Sequence, residues 1–121
     1  MGLDMFALTT TEKPASNVDF DADAHGELHY WRKHPDLHGW MEKLYREKGG
    51  AAQSFNCVRM VLATPDLDRL EADFKDSRLP DTQGFFFGES DGSETAGDLA
   101  FIGKARAAIQ EGLTVYYTSW W

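Results

Sequence analysis

The sequence predicts a single domain of the α+β class, or of the related α/β class, in which a mixed sheet of about five strands packs with three helices. Two observations predict this architecture. The 121 residues, of which 42% are hydrophobic and 13% aromatic, are enough for one hydrophobic core but not for two. Short alternating or apolar segments also occur in turn with segments whose apolar residues recur at helical spacing. We therefore expect one domain over residues 1–121, with a long polar loop or arm at 9–26.

Five segments have the composition of strands, and turn-forming residues separate them from their neighbours. They are 3–8, 28–33, 55–62, 84–88 and 113–121. Alternation in the second segment places Tyr30 and Arg32 on one face and Trp31 and Lys33 on the other. The fourth segment is apolar on both faces, which predicts a central position in the sheet. Cys57 lies within the apolar third segment, so we expect its thiol to be buried.

Three segments carry apolar residues at the spacing of one helix face. Pro35 suits the first position of the first helix, because its missing N–H has no partner there, and Gly49 ends that helix. Thr64 is expected to cap the second helix, and Thr95 with Asp98 three residues later is expected to form a capping box for the third. The predicted core residues are Trp40, Leu44, Phe74, Phe86, Ile102 and Val115.

The charge balance and the single cysteine narrow the class of protein. A formal net charge of −8, from 20 carboxylates against 12 cations, argues against a binder of duplex nucleic acid, which needs clustered Lys and Arg. One cysteine cannot form an internal disulfide, which fits a reducing cytoplasm. No stretch approaches the ~20 apolar residues of a membrane-spanning helix, and no secretion signal opens the chain. We expect a cytoplasmic protein with no membrane partner.

Metal and catalytic motifs are incomplete. His25, His29, His34 and His38 fall within fourteen residues, but no cysteine or second carboxylate motif completes a ligand set. A calcium loop begun at Asp19 fails at the Gly and the Glu that it requires. A nucleophile elbow and a Walker phosphate loop are both missing from the sequence. The sequence therefore predicts no metal and no cofactor, and it favours a protein without catalysis.

The stretch from Glu27 to Trp40 is the cationic and aromatic exception in this acidic chain. It joins a strand to a helix N-terminus, where free backbone N–H groups and the helix dipole favour an anion. Aromatic rings in this stretch and near the end of the chain could stack on a base or sugar. The predicted ligand-binding residues are Tyr30, Trp31, Arg32, Lys33, His38, Tyr116 and Tyr117.

A competing interpretation assigns Trp40 and one face of the strand to the core and pairs Arg32 and Lys33 with surplus acids. Strand alternation also sends these two cations to opposite faces, so only one of them is expected to reach a site, and Arg32 is the favoured one.

Several motifs together resemble a family of small bacteriophage and prophage proteins. They are the start Met-Gly-Leu-Asp-Met-aromatic, the stretch Tyr30 to Lys33 with His38 and Trp40 after it, Gly-Phe-Phe-Phe-Gly at 84–88, and the ending Tyr-Tyr-x-Ser-x-Trp. The resemblance implies a phage or prophage origin and a cytoplasmic protein without an assigned activity. Some relatives carry a phosphoglycerate-kinase label, but that enzyme has two domains and is several times longer, so no catalytic role is carried over.

Three hypotheses of function follow. In the first, the chain is a non-catalytic protein that binds a small anionic, nucleotide-like ligand. In the second, it is an acidic inhibitor that binds a host protein by imitating nucleic acid, through Asp19, Asp21, Asp23, Glu89, Asp91 and Glu94. In the third, it processes a phosphoester with His38 as the acid or base. The partner is accordingly a small anion or a host protein.

Overall fold

Residues 3–32, 34–76, 78–80 and 95–121 are described by the computed structural model, and they confirm the α+β class. The strands in this part of the chain are β1 (Asp4–Thr10), β2 (Gly26–Arg32), β3 (Arg59–Val61) and β4 (Thr114–Trp120). The helices are α1 (Pro35–Glu47), α2 (Thr64–Lys75) and α3 (Thr95–Gln110). The strand predicted at 84–88 and the predicted core residue Phe86 lie outside the described residues.

The four strands form one sheet in the order β2-β1-β4-β3. The first and last strands of the chain are its central pair, in a register that runs from Asp4 opposite Trp120 to Thr10 opposite Thr114. The sequence predicted a mixed sheet, whereas the three pairings among the described strands are all antiparallel. The difference arises because neighbours far apart in the chain, such as β1 and β4, set the strand directions, and alternation within a strand carries no information about its neighbour.

The two faces of this sheet are covered differently. On one of them, the helix face, the side chains of Met5 and Tyr117 are fully buried. His38 of α1 contacts Tyr117 there, and Phe101 of α3 packs edge-on against Trp31 at 4.9 Å between ring centroids. Since α1 and α3 lie on the same face, the core is the layer between the helices and that face. Among the predicted core residues, Trp40, Leu44, Phe74, Ile102 and Val115 are buried, as expected.

The opposite face has no helix among the described elements, and we call it the open face. Register and alternation place on it Asp4, Phe6 and Leu8 of β1, Tyr30 and Arg32 of β2, Arg59 and Val61 of β3, and Tyr116, Thr118 and Trp120 of β4.

Local signals account for the ends of α1. The helix begins at Pro35, as predicted, and it ends at Glu47, just before Gly49, whose φ of 91° lies in the left-handed region that glycine adopts without strain. The N-terminus of α2 differs from the prediction. Thr64 lies inside the helix, and the carboxylate of Asp66 accepts the backbone N–H of Ala63 at 2.8 Å and so satisfies one donor of the first turn.

The third strand is shorter than the sequence predicted. Phe55 precedes it and packs among aromatic rings instead, 5.0 Å from Tyr45 and 5.8 Å from Tyr117 between ring centroids. The prediction of a buried thiol at Cys57 was wrong. This residue takes a left-handed φ of 61°, its N–H donates to the carbonyl oxygen of Ser119 at 2.8 Å, and its side chain is exposed at the turn that leads into β3.

The middle of the polar segment between β1 and β2 is attached to the sheet. Val18 is buried and forms an isolated bridge with Met60, while the N–H of Val61 donates to the carbonyl oxygen of Asn17 at 2.9 Å. The carboxylate of Asp19 accepts the hydroxyl of Tyr45 at 2.6 Å, which ties the same segment to α1. The polar loop predicted at 9–26 therefore covers the outer edge of β3.

Candidate functional site

The predicted ligand-binding residues do not form one cluster in the structure. Tyr30, Arg32 and Tyr116 lie on the open face, whereas Trp31, His38 and Tyr117 lie between the helix face and the helices. Lys33 lies outside the described residues. The separation follows from strand alternation, because adjacent residues such as Tyr30 and Trp31, or Tyr116 and Tyr117, must face opposite sides. A single site that contains both Arg32 and His38 is therefore not formed.

His38 and Tyr117 form a buried hydrogen-bonded pair. Nδ1 of His38 lies 2.7 Å from the hydroxyl of Tyr117, and the imidazole packs against Phe55 at 4.9 Å between centroids. Burial lowers the pKa of His38 to about 4 and raises the pKa of Tyr117 well above 10, so both are neutral at pH 7. With only 1% of His38 exposed, this placement does not favour its use as an acid or base toward a phosphoester.

Asp98 is a second buried polar centre. Its Oδ1 accepts the indole N–H of Trp31 at 2.7 Å, and its Oδ2 lies 2.9 Å from Nε2 of His34. All three side chains are buried. The carboxylate therefore joins the first turn of α3 to the end of β2 and to the residue that precedes α1. Its partners lie 64 and 67 residues away in the chain, so sequence patterns gave no signal for this role.

The open face carries aromatic rings that solvent reaches. Trp120 is 67% exposed and Tyr30 is 43% exposed. Phe6 lies opposite Tyr30 in the register, with 5.3 Å between their ring centroids. Sequence reasoning missed Phe6 and Trp120, although alternation in β1 and β4 could have placed both on the face of Tyr30. Exposed large aromatic side chains of this kind are a common mark of a binding surface.

Asp4 lies on this face at the start of β1, between Arg32 of β2 and Trp120 of β4, and links two of its side chains. Its Oδ1 accepts the hydroxyl of Tyr30 at 2.5 Å, and it lies 3.4 Å from a guanidinium nitrogen of Arg32. The hydrogen bond to Asp4 raises the pKa of Tyr30 above its usual value. The Arg32 side chain remains 56% exposed, so its contact with Asp4 is a weak surface pair that leaves donors of the guanidinium accessible.

The far side of the open face is partly covered. Phe20, from the segment between β1 and β2, packs edge-on against Tyr116 at 5.6 Å between centroids, and Tyr116 is buried. Arg59 donates to the carbonyl oxygen of Phe20 at 3.3 Å and lies 3.4 Å from a carboxylate oxygen of Asp21. Tyr116 is therefore not available for stacking, contrary to its predicted role. The open-face site that remains consists of Asp4, Phe6, Tyr30, Arg32 and Trp120.

No group of three or more His, Cys, Asp and Glu side chains within the described ranges is placed to hold a metal ion. None of the described helices is both long and apolar enough to cross a membrane. Comparisons with protein-family models, with curated proteins and with solved structures give no match.

Proposed function

We propose that this chain is a non-catalytic cytoplasmic protein of phage type that binds a small anionic, nucleotide-like ligand on the open-face site. The observation that carries the proposal is the exposure of Trp120 and Tyr30 beside Phe6, with the accessible guanidinium of Arg32 at the edge of the same face. Flat rings supply the stacking surface for a base, and the cation supplies a partner for its phosphate.

The expected interaction energies support these roles for the aromatic rings and for Arg32. Stacking of a base on an aromatic side chain contributes about 1–3 kcal/mol, and it tolerates any base because every base has a flat face. The planar guanidinium of Arg32 matches two oxygens of a phosphate, which a Lys ammonium does not. Because the face is solvated and the protein carries a net charge of −8, the single phosphate contact adds specificity more than affinity.

The contact between Asp4 and Arg32 determines how an anion would enter. The carboxylate already accepts the short hydrogen bond from Tyr30, while its distance to Arg32 is 3.4 Å. A phosphate can therefore take over the guanidinium while Asp4 keeps its hydroxyl partner. His38, the residue of the enzymatic alternative, contacts Tyr117 on the other side of the sheet and cannot reach this ligand without a rearrangement of the core.

The proposal is tested by binding of mononucleotides to the purified protein, measured by thermal shift and by calorimetry. Wild type is expected to bind AMP or GMP weakly, and both Arg32→Ala and Tyr30→Ala are expected to lower that affinity. Arg78→Ala is the matched control, since its side chain is 71% exposed and pairs only with Asp76 among the described contacts, at 3.8 Å. The control is expected to bind as wild type does.

Absence of binding by any mono-, di- or cyclic nucleotide would contradict the proposal and leave the host-protein inhibitor ahead. Asp21 is fully exposed and Asp23 is exposed, so these two acids are available to a basic partner. Capture of that partner would then be lost on charge reversal at Asp21 and Asp23 and unchanged by Arg32→Ala.

A further inference from the structure

We infer that the ligand of the open-face site contains two nucleobases joined through one phosphodiester, rather than one base. This inference rests on the proposed function and specifies the ligand. It comes from the spacing of the exposed rings across three strands and from the position of the second guanidinium, that of Arg59.

The open face offers two separate stacking platforms. Phe6 and Tyr30 form one, since they lie opposite each other on β1 and β2 with 5.3 Å between ring centroids. Trp120 forms the other. It lies opposite Asp4 on β4, one strand across from Phe6 and two residues further along the strand. Strand geometry puts its Cα about 8 Å from that of Phe6 and about 12 Å from that of Tyr30.

One base cannot cover both platforms. Bases that stack on each other in a nucleic acid lie about 3.4 Å apart, so a pair that occupies both platforms must be unstacked and splayed. Proteins that recognise single-stranded RNA bind splayed bases in this way, each base on its own aromatic ring. A ligand with two linked bases therefore buries Trp120 and the pair of Phe6 and Tyr30 together.

The polar groups between the platforms indicate a path for the link. Thr118 lies opposite Phe6 and next to Trp120 on the same face, and Arg59 lies opposite Thr118 on β3. The hydroxyl of Thr118 thus borders the gap on this side. The guanidinium of Arg59 lies behind it, where it contacts the carbonyl oxygen of Phe20 and a carboxylate oxygen of Asp21, and its remaining N–H donors suit the oxygens of a phosphodiester. Asp4 borders the other side, where a carboxylate accepts hydrogen bonds from an amino group of a base or a hydroxyl of a sugar. Arg32, beside Tyr30, is left for a terminal phosphate.

The overall charge sets an upper limit on length. Each added phosphate increases the repulsion from a protein of net charge −8, and the open face has only Arg32 and Arg59 as cations among its described residues. A dinucleotide with one linking and one terminal phosphate matches these two guanidinium groups. A long single strand would bring further phosphates that these two guanidinium groups do not neutralise.

The test compares AMP, the 5′-phosphorylated linear dinucleotide pApA, cyclic di-AMP and hexaadenylate by calorimetry at fixed ionic strength. Wild type is expected to bind pApA at least about ten-fold more tightly than AMP, because the second base adds one stacking contact. Trp120→Ala should lower the affinity for pApA to about that for AMP. It should change AMP binding by no more than about two-fold, since the other platform remains.

Two further variants separate the link from the stacking. Thr118→Val and Arg59→Ala are expected to weaken pApA but not AMP, and Arg78→Ala is expected to change neither. Cyclic di-AMP that binds as tightly as pApA, or more tightly, would support two linked bases and identify a cyclic ligand as the source.

Equal affinities for AMP and pApA, or an equal loss of both in Trp120→Ala, would overturn the two-base inference while the proposed function stands. Hexaadenylate contains several overlapping dinucleotide positions, which raise its affinity statistically. If it binds more tightly than this statistical factor explains, and its salt dependence corresponds to more than two released ions, the two-base inference is overturned in favour of single-stranded nucleic acid. Failure of all four probes would remove the proposed function as well.

Discussion

The two faces of the sheet carry similar side chains and use them differently. On the helix face, the indole of Trp31 donates to buried Asp98 and the imidazole of His38 contacts the hydroxyl of Tyr117. On the open face, Trp120 is 67% exposed. An aromatic ring beside a polar group is therefore not a sign of a site by itself in this chain. The side of the strand decides whether the group stabilises the core or is available to a ligand.

The largest expected effect is a difference in stability between two tryptophans of the same sheet. Trp31→Ala should lower the free energy of unfolding by about 3–5 kcal/mol, because it leaves a cavity and removes a donor from Asp98. Trp120→Ala should change it by no more than about 0.5 kcal/mol, since that ring is mostly in water. Urea denaturation measures both. Similar losses for the two variants would show that the faces do not differ as described.

A second effect concerns pH and the helix face. Burial lowers the folded-state pKa of His38 to about 4, whereas the unfolded chain titrates near the usual value of about 6.5. The unfolded state thus binds this proton at higher pH. The contribution of neutral His38 to stability is therefore fully present above about pH 6.5. As the pH falls toward 4, the loss of this contribution lowers the free energy of unfolding by up to about 3 kcal/mol.

Denaturation of wild type and His38→Gln between pH 7.5 and 4 measures this contribution. The difference between the two proteins is expected to shrink as the pH falls, because only wild type loses it. His29 has a pKa lowered by burial as well, but it is present in both proteins and cancels. A constant difference over this range would show that His38 is accessible to protons, and that it does not belong to a closed core.

A third effect concerns the buried carboxylate at the end of the same face. Asp98→Asn keeps an acceptor for one of its two partners and presents an amide N–H₂ to the other, so we expect a loss of about 1–3 kcal/mol. Asp68→Asn is the control on α2, where the carboxylate is 62% exposed and bonded to Arg106, and it should cost less than about 1 kcal/mol. Equal losses of stability in the two variants would mean that water reaches Asp98.

Local signals predicted more of the fold than of the site. Pro35 and Gly49 mark the ends of α1 because a cap or a left-handed turn acts within a few residues. The burial of Asp98 depends on partners more than sixty residues away, and no local pattern encodes it. The strand order is of the same kind, since the pairing of β1 with β4 joins the two ends of the chain.

The placement of the candidate site residues was predicted in part for the same reason. Alternation put Tyr30 and Arg32 on one face, and the structure places them together there with Asp4. His38 and Tyr117 were wrongly grouped with them, because tertiary packing, and not the local sequence, decides which face of the sheet α1 covers. Trp120 was left out of the predicted ligand-binding residues, although period-two alternation in β4 already separated it from the residues of the core.

The smallest expected effect is confined to the open face and probes Asp4. In Asp4→Asn, the pKa of Tyr30 should fall toward its usual value of about 10, because the acceptor of its short hydrogen bond loses its charge. The titration is followed by the ¹³Cζ chemical shift of the ring, assigned with Tyr30→Phe. Stability should change little, since the contacts lie at the surface.

Anion binding gives the second readout of the same variant. Loss of the carboxylate frees Arg32 and removes a repulsive charge, so the affinity for AMP should rise several-fold, whereas Asp76→Asn, beside the control residue Arg78, should leave it unchanged. If the pKa of Tyr30 falls but AMP binding does not rise, Arg32 is not the cation that meets the phosphate. Since Asp4 is the one described acid that contacts both Tyr30 and Arg32, this single exchange separates a face that merely exposes aromatic rings from a face that selects an anion.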